Sequence, residues 1–357
     1  MSHTSQKVNK KIIEKQVEFL VPGIQLAHDV CSNDNQILVS KDTILSQPII
    51  NKLLSWDIFK VSVVTEVADN PITNPQLQEF INTYNKSVTV VQKAFDQIRE
   101  TQEIELSTFT KTADSIVENV TSAGNIIDQL YNLPKCDDYT FHHSVNVSAI
   151  AALIALWLNY PPDSVSAISL AALLHDVGKS QLPPEILNKT YKLDIESYEL
   201  YKKHTQFGYD LVSKVPGIAQ SVLAGIGDHH EREDGSGYPN RLSSSHIHPY
   251  AKIIAIADLY DEALTINCDK PGKLSPYCSL ENLRNEICRI DAKSCMIFLQ
   301  NMNNYLSGNT VELSDGRTGR VVFINKDKPS LSMVQLADGA VLDLRDNPSL
   351  RINYVLR

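Results

Sequence analysis

Side chains that can bind a transition metal follow one another through the middle of this chain. They are His143, His175, Asp176, His204, His229, His230 and Asp258. Eight of the ten histidines lie between positions 142 and 248. Imidazole nitrogens together with carboxylate oxygens suit iron, manganese, nickel or zinc. The set is too large for one ion and about right for two.

The charge of the chain bears on what such a centre could bind. The net charge is −9 and the pI is about 5.6, so the protein as a whole does not attract nucleic acid. An anionic substrate therefore needs local positive charge. Two divalent ions carry four positive charges, which neutral histidines leave intact. Asp176 and Asp258 would offset only two of them, so the centre stays cationic. Such a centre could hold a phosphate, and a shared Asp176 would let both ions hold one nucleophilic water.

The surrounding motifs are longer than single ligands. His175-Asp176-Val177-Gly178-Lys179 follows the apolar run Ala171–Leu174, the segment from His229 to Pro239 contains Gly237-Tyr238-Pro239, and Ala257-Asp258-Leu259-Tyr260-Asp261 closes the series. In this order and spacing they resemble the HD-GYP family of bacterial cyclic di-GMP phosphodiesterases. The resemblance spans roughly residues 136 to 300.

The resemblance implies a role for each ligand. One ion would be held by His143, His175, Asp176 and Asp258. The other would be held by His204, His229, His230 and the shared Asp176. The expected cofactors are two divalent ions, iron or manganese, with nickel or zinc as alternatives. His142, His246 and His248 match no ligand of the family.

The resemblance also implies catalytic and substrate-binding residues. Asp176 and Lys179 would be catalytic, with Lys179 contacting the scissile phosphate and aiding the leaving oxygen. Gly237, Tyr238 and Pro239 would lie beside the substrate. The family uses this loop in contacts with diguanylate cyclases as well, so such an enzyme is an expected partner besides cyclic di-GMP.

Two departures from the family pattern stand out. Tyr139 occupies the place of a glutamate that supports a third ion in some members, which favours two ions here. Lys270 and Lys273 stand where the family has an arginine-proline string that grips substrate. We expect them to bind substrate, but lysine lacks the bidentate phosphate geometry of arginine. This departure bears on affinity and substrate choice more than on metal chemistry.

Several functions stay open at this stage. The first is hydrolysis of cyclic di-GMP to linear pGpG, with GMP as the further product. A receptor that binds the dinucleotide without cutting it is the second. An HD-type hydrolase of another nucleotide and a di-iron oxygenase share much of the ligand inventory. The Gly-Tyr-Pro motif disfavours another nucleotide hydrolase.

Adjacent His229 and His230 place a constraint on the backbone. Neighbouring side chains on a regular helix point about 100 degrees apart. Both can reach one ion only at a helix end or in irregular backbone. Gly225, Gly227 and Gly235 allow such irregularity.

The elements that must position these residues are predicted to be mainly α-helical. We expect a small α+β unit at 1–68, a linker and helical hairpin at 69–135, the HD-type helical bundle at 136–306, and a small β module at 307–357. In the first unit, Ile37–Val39 and Val61–Val64 read as strands, and a helix should run from Ser46 to about Ser55.

The hairpin shows two apolar stripes. They are Leu77, Ile81, Tyr84, Val88, Val91, Phe95 and Ile98, and then Phe109, Ala113, Ile116, Val120, Ala123, Ile127 and Leu130. Their spacing is close to 3.5 residues. The stripes either pack on each other and on the bundle, or one of them forms a homodimer seam.

The last segment changes to strand periodicity. Four short strands are predicted, Val311–Leu313, Arg320–Ile324, Met333–Leu336 and Val341–Leu344. Asp315-Gly316 and Asp338-Gly339 predict tight turns between them.

Sequence signals favour a cytoplasmic protein without a membrane span. Residues 1–9 are polar, and the longest apolar run, Ala149–Leu158, is too short to cross a bilayer. The six cysteines form no C-x-x-C pair, which suits a reducing compartment.

Overall fold

The computed structural model describes residues 9–17, 20, 22–31, 37–56, 58, 60–67, 75–122, 139–187, 194–266, 276–347 and 349–356. The chain divides into two compact units, Met1–Pro75 and Gln76–Arg357. Each unit has its own hydrophobic core. Lys270 and Lys273, which were predicted to bind substrate, lie outside the described residues. Residues 123–138, which include the end of the second apolar stripe, lie outside them as well.

The first unit combines short strands with one helix. Its elements are β1 (Asn9–Gln16), β2 (Gln25–Leu26), β3 (Val30–Cys31), β4 (Ile37–Val39), α1 (Gln47–Ser55) and β5 (Lys60–Val67). β5 lies between β1 and β2 in an antiparallel sheet, and β3 pairs with β4. The predicted strands and helix are present, with Pro48 in the first turn of α1. β1 was not predicted.

The second unit is built mainly from helices. They are α2 (Pro75–Thr101), α3 (Leu106–Ser122), α4 (Tyr139–Trp157), α5 (Pro162–Leu174), α6 (Pro184–Leu187), α7 (Ile195–Lys202), α8 (His204–Ser213), α9 (Gln220–Gly227), α10 (Pro249–Ile266), α11 (Pro276–Asn285) and α12 (Ala292–Leu306). The prediction of a mainly helical fold is confirmed.

Two helices form the centre of this unit. α4 and α5 are apolar on nearly every side, which is the pattern of helices buried all round. α5 packs against α3, α4 and α9, and α4 packs against α10. Because of this packing, the residues that follow α5 and α9 and the middle of α10 lie close together inside the unit.

The apolar stripes of the hairpin pack within the core of this chain. On α2, Tyr84, Val88, Val91, Phe95 and Ile98 are buried in the same core as the bundle. The described part of the second stripe, Phe109, Ala113, Ile116 and Val120, is buried there too. The described stripe residues therefore pack on each other and on the helical bundle. A homodimer stays a prediction.

The C-terminal strands form a five-stranded antiparallel sheet. Its strands are β6 (Thr310–Leu313), β7 (Thr318–Phe323), β8 (Met333–Leu336), β9 (Val341–Asp343) and β10 (Ile352–Val355), in the order β10-β6-β7-β8-β9. Gly316 and Gly339 have φ values of 87° and 86° in the predicted Asp-Gly turns. β10 was not predicted. The buried side of the sheet joins the helical core.

Within the described residues, no helix is long and apolar enough to cross a membrane.

Candidate metal centre

The structure brings all seven predicted ligands together from five separate segments. His143 lies on α4, His175 and Asp176 follow the end of α5, His204 opens α8, His229 and His230 follow the end of α9, and Asp258 lies on α10. All are buried except His230, whose side chain is 12% exposed. The adjacent pair lies beyond a helix end, where both rings can face one point, as predicted.

The potential ligand atoms fall into overlapping groups. One group is His204, His229 and His230, another is His143, His175 and Asp258, and a third is His175, Asp176 and His229. Within each group the atoms lie within 4.8 Å of one another. The first two groups define two sides of the centre, which we call the His204 side and the His143 side.

Asp176 lies between these two sides. Its Oδ2 atom is 3.4 Å from Nε2 of His175 and 3.8 Å from Nε2 of His143. Its Oδ1 atom is 3.5 Å from Nε2 of His204. The two oxygens of one carboxylate thus face opposite sides, which is the arrangement of a bridging ligand.

Three histidines are oriented by main-chain carbonyls near the C-terminal end of the helix that precedes them. The Nδ1 atoms of His175, His204 and His229 donate to the carbonyls of Ala172, Tyr201 and Ile226 at 2.7, 2.8 and 2.7 Å. A carbonyl can only accept, so each Nδ1 carries the proton and each Nε2 presents a lone pair to the centre.

These imidazoles are also held in the neutral form. Burial lowers the pKa of His204 to about 4 and lowers that of His175. Burial holds the pKa values of His229 and His230 well below the ordinary range. Neutral imidazole is the form that binds metal.

His143 is held differently. Its Nδ1 lies 2.8 Å from Oδ2 of Asp261, and its Nε2 lies 3.1 Å from Oδ1 of Asp258. Burial alone would lower the pKa of His143, but the hydrogen bonds and charges of Asp258 and Asp261 outweigh it and raise the pKa to about 10. A metal ion must therefore displace a proton from this histidine.

Unpaired polar atoms show that the residues fit a metal. Nε2 of His175, Oδ1 of Asp176 and Oδ2 of Asp258 are buried without a hydrogen-bond partner. They are three of the four such side-chain atoms in the described part of the chain. Burying a polar atom unpaired is costly, and three around one point are explained by cations that would satisfy them. The centre is suited to bind divalent metal.

Lys179 lies beside the bridging carboxylate. α5 ends at Leu174, and a 3₁₀ turn at Val177–Gln181 carries the lysine, so the α-helix does not continue to it. Nζ of Lys179 is 2.5 Å from Oδ2 of Asp176 and lies 5.3 Å from the centre of the Tyr201 ring. Burial would lower the pKa of Lys179, yet the Asp176 charge raises it well above the ordinary value.

Gly178 is required for a close approach. A Cβ atom here would lie 1.9 Å from the carbonyl oxygen of His204 and 2.4 Å from the amide nitrogen of Gly208. The 3₁₀ turn therefore lies directly on the start of α8. This contact brings the His175-Asp176 pair and His204 to the same point.

The Gly-Tyr-Pro loop lies at the open end of the centre. The Tyr238 ring stacks on His230, with ring centres 4.6 Å apart and an angle of 29°. A Cβ on Gly237 would lie 2.4 Å from the amide nitrogen of Arg232. Pro239 follows on the exposed side of the loop.

The loop is fixed by the buried carboxylate of Glu231. This carboxylate accepts hydrogen bonds from the main-chain amides of Asn240 and Leu242 at 2.6 and 2.8 Å.

Sequence reasoning missed a supporting residue, Asp261. It follows Asp258 by one helical turn, so the D-x-x-D spacing was a usable signal. Asn146, which contacts Asp261, and Tyr201 were missed as well. Among the described residues, the potential metal groups do not include His142, His246 or His248.

Comparison with known proteins identifies an HD domain in this chain. The family model for the HD domain matches residues 116–293. A cyclic di-GMP phosphodiesterase of Pseudomonas aeruginosa is 31% identical over 241 residues, which cover 67% of this chain and 57% of that protein. A 3'3'-cGAMP-specific phosphodiesterase of Vibrio cholerae is 34% identical over 170 residues, which cover 47% of this chain and 39% of that protein.

A solved structure shows the same fold. Bd1817 of Bdellovibrio bacteriovorus, described as a HDG"Y"P protein, matches with a TM-score of 0.53 and 19% identity, over 82% of this chain and 99% of that one.

The fold and the site thus define a protein of the HD-domain class. The family model that matches is the HD domain, and the motifs of this chain resemble those of the HD-GYP family. The chain spans less than two thirds of the length of these two phosphodiesterases.

Proposed function

We propose that this chain is a metal-dependent phosphodiesterase that hydrolyses cyclic di-GMP to linear pGpG in bacterial second-messenger signalling. The observation that carries the proposal is Asp176, whose two oxygens face two separate sets of buried ligands. A centre of that form suits hydrolysis of a phosphodiester, and two similar proteins are named as phosphodiesterases of cyclic dinucleotides.

The chain offers ligands for two divalent ions. His143, His175 and Asp258 would hold one, and His204, His229 and His230 the other, with Asp176 shared. Iron or manganese is the proposed metal, with nickel or zinc as the alternatives. When bound, the ions would polarise the phosphoryl group and provide an activated water at neutral pH.

Lys179 provides the second catalytic element. Its pKa lies well above the ordinary value, so the ammonium group keeps its charge at neutral pH. Asp176 and Tyr201 hold it at the edge of the centre. We assign it to the scissile phosphate, where it stabilises negative charge and can give a proton to the leaving oxygen.

Aromatic and basic side chains lie where a nucleobase would enter. Nζ of Lys202 is 5.3 Å from the ring centre of Tyr198 and 5.8 Å from that of Tyr238. Tyr198 is 47% exposed. Bases stack on such rings, and a lysine beside them attracts phosphate. These contacts support a cyclic dinucleotide as substrate, bound also by Gly237, Tyr238 and Pro239 and by Lys270 and Lys273.

The proposed partners follow from the same loop. The exposed side of the Gly-Tyr-Pro segment is available for a diguanylate cyclase. A homodimer through the helical hairpin would have to use faces of α2 and α3 other than their buried stripes.

One departure favours a second function. Lys270 and Lys273 replace the arginine string of the family, and weaker substrate grip would suit a receptor that binds the dinucleotide and leaves it intact.

A substrate panel tests the proposal. Protein reconstituted under reducing conditions with ferrous iron or manganese is incubated separately with cyclic di-GMP, 3'3'-cGAMP and guanosine tetraphosphate, and products are separated by chromatography. The matched control is the same protein treated with a chelator.

We expect pGpG, or GMP after longer incubation, from the metal-loaded sample alone. Bound but intact cyclic di-GMP would indicate the receptor. Cleavage of guanosine tetraphosphate alone would indicate another HD-type hydrolase. Preferred cleavage of 3'3'-cGAMP would move the substrate to the hybrid dinucleotide.

A further inference from the structure

A hydroxyl group of the hairpin reaches the support of the metal centre. Tyr84 on α2 is 5% exposed, and its hydroxyl lies 2.8 Å from Oδ1 of Asn146 on α4. The hydroxyl oxygen of Tyr84 also lies 3.1 Å from Nδ1 of His142. A phenol has one hydrogen, so it donates to Asn146 at the shorter distance and accepts from His142.

Asn146 carries this contact to α10. Its Nδ2 lies 2.9 Å from Oδ1 of Asp261. A carboxylate accepts and an amide nitrogen donates, so the Asn146 amide has only one consistent orientation. Its nitrogen faces Asp261 and its oxygen faces Tyr84.

Asp261 completes the connection. It is 2% exposed, and its second oxygen accepts from Nδ1 of His143 at 2.8 Å. That hydrogen bond turns Nε2 of His143 toward Asp258 and Asp176. Four buried or half-buried groups therefore form one directed chain from α2 to a metal-binding atom.

We propose that Tyr84 is a positioning residue for the metal centre, acting through Asn146 and Asp261 on His143. The inference rests on the proposed metal-dependent function. His175, His204 and His229 are fixed by main-chain carbonyls, whereas His143 is fixed by a side chain, so its orientation depends on what holds Asp261. A shift of α2 would weaken metal binding on the His143 side, which makes the hairpin a point of control.

The test measures metal affinity directly, without substrate. Manganese is titrated by calorimetry into metal-free protein carrying Tyr84→Phe, which removes the hydroxyl and keeps the ring. Tyr277→Phe is the matched control, since Tyr277 is fully buried and its hydroxyl donates to the carbonyl of Leu306 at 2.9 Å. Both variants remove a tyrosine hydroxyl that donates a hydrogen bond inside the protein, and both keep the ring.

We expect Tyr84→Phe to weaken the binding of one manganese equivalent about three- to tenfold, less than the loss typical of a direct partner of a metal ligand. Tyr277→Phe should bind as the wild type does. Asn146→Ala should weaken the same equivalent about tenfold or more. Adding Tyr84→Phe to Asn146→Ala should cause no further loss, because the chain is already broken.

Wild-type affinity in Tyr84→Phe would overturn the inference, as would an equal loss in Tyr277→Phe or a fully additive double variant. If the wild-type protein itself binds no manganese, the proposed metal-dependent function fails and the inference fails with it. If the wild type binds manganese and Tyr84→Phe binds it equally well, only the inference fails.

Discussion

The two sides of the metal centre are supported in different ways. On the His204 side, His204 and His229 are held by carbonyls three residues earlier in the same chain segment. On the His143 side, His143 is held by Asp261, which lies 118 residues away. The contacts that orient His204 and His229 are local to helix ends, whereas the contact that orients His143 forms only when α4 and α10 pack together. The local side should therefore be the more robust to changes elsewhere in the fold.

The two sides also differ in charge before metal binds. The pKa of His204 is lowered to about 4, so its imidazole is neutral at pH 7. The pKa of His143 is raised to about 10, so its imidazole is protonated between two carboxylates. Metal competes with a proton on one side only.

The largest effect is expected where the two sides meet. Asp176→Ala removes the carboxylate that faces both, so turnover of cyclic di-GMP should fall roughly a thousandfold or more. Initial rates by chromatography measure it. Asp210→Ala, an exposed aspartate on α8, is the matched control and should keep wild-type turnover. Full activity in a folded Asp176→Ala protein would disprove the mechanism.

A change confined to the His143 side should separate the sides. Asp261→Asn keeps the size of the side chain and removes the charge that holds His143. The affinity for one metal equivalent should fall about 10–100-fold, while the other is unchanged. Metal content after dialysis at a series of free metal concentrations measures this. Equal weakening of both equivalents would show that the sides are not independently supported.

The pH dependence of metal-free stability should follow the His143 side. The pKa of His143 is higher in the folded protein, about 10, than in the unfolded chain, about 6.5. Protonated His143 therefore stabilises the folded state fully below about pH 6.5, and this stabilisation is lost as the pH rises toward about 10. The melting temperature of metal-free protein should therefore decrease over that range. His143→Gln should flatten this decrease, and an unchanged slope would argue against the protonated histidine.

The opposite sign applies on the His204 side. Its lowered pKa makes the folded state bind protons less readily than the unfolded chain, so stability should fall as the pH drops from about 6.5 toward 4. His204→Gln should weaken this acid dependence and leave the alkaline one in place.

The smallest effect is expected at the substrate entrance beside the His204 side. Lys202→Ala removes a cation near the Tyr198 and Tyr238 rings and should raise KM about threefold with little change in kcat or metal content. The neighbouring Lys203→Ala, at an exposed lysine directly after α7, is the control. A fall in kcat with constant KM would place Lys202 in the chemistry instead.

The same contrast explains what the sequence could predict. The residue types and the order of the motifs predicted the seven candidate ligands that the structure brings together. The adjacent histidines and nearby glycines, which are local signals, indicated a helix end or irregular backbone at His229. The chain from Tyr84 through Asn146 to Asp261 was not, because its members meet only through the packing of α2, α4 and α10. Gly178 illustrates the limit, because its sequence position does not reveal the contact with His204 that requires a glycine there.

The strands of the first unit and of the C-terminal sheet also differ in how well the sequence predicts them. β4, β5 and β6 have compact runs of β-branched or leucine residues, and the sequence predicted them. β1 has the sequence Asn-Lys-Lys-Ile-Ile-Glu-Lys-Gln, in which charged residues mask any alternation, and its strand is defined by pairing with β5. β10 likewise depends on pairing with β6.

The most direct test titrates metal into metal-free protein and follows both binding and cyclic di-GMP hydrolysis in the same sample. The account predicts about two ions per chain at saturation, with pGpG forming only as the second equivalent binds, because Asp176 must serve both sides. Full turnover at one equivalent, or turnover in the absence of metal, would contradict it.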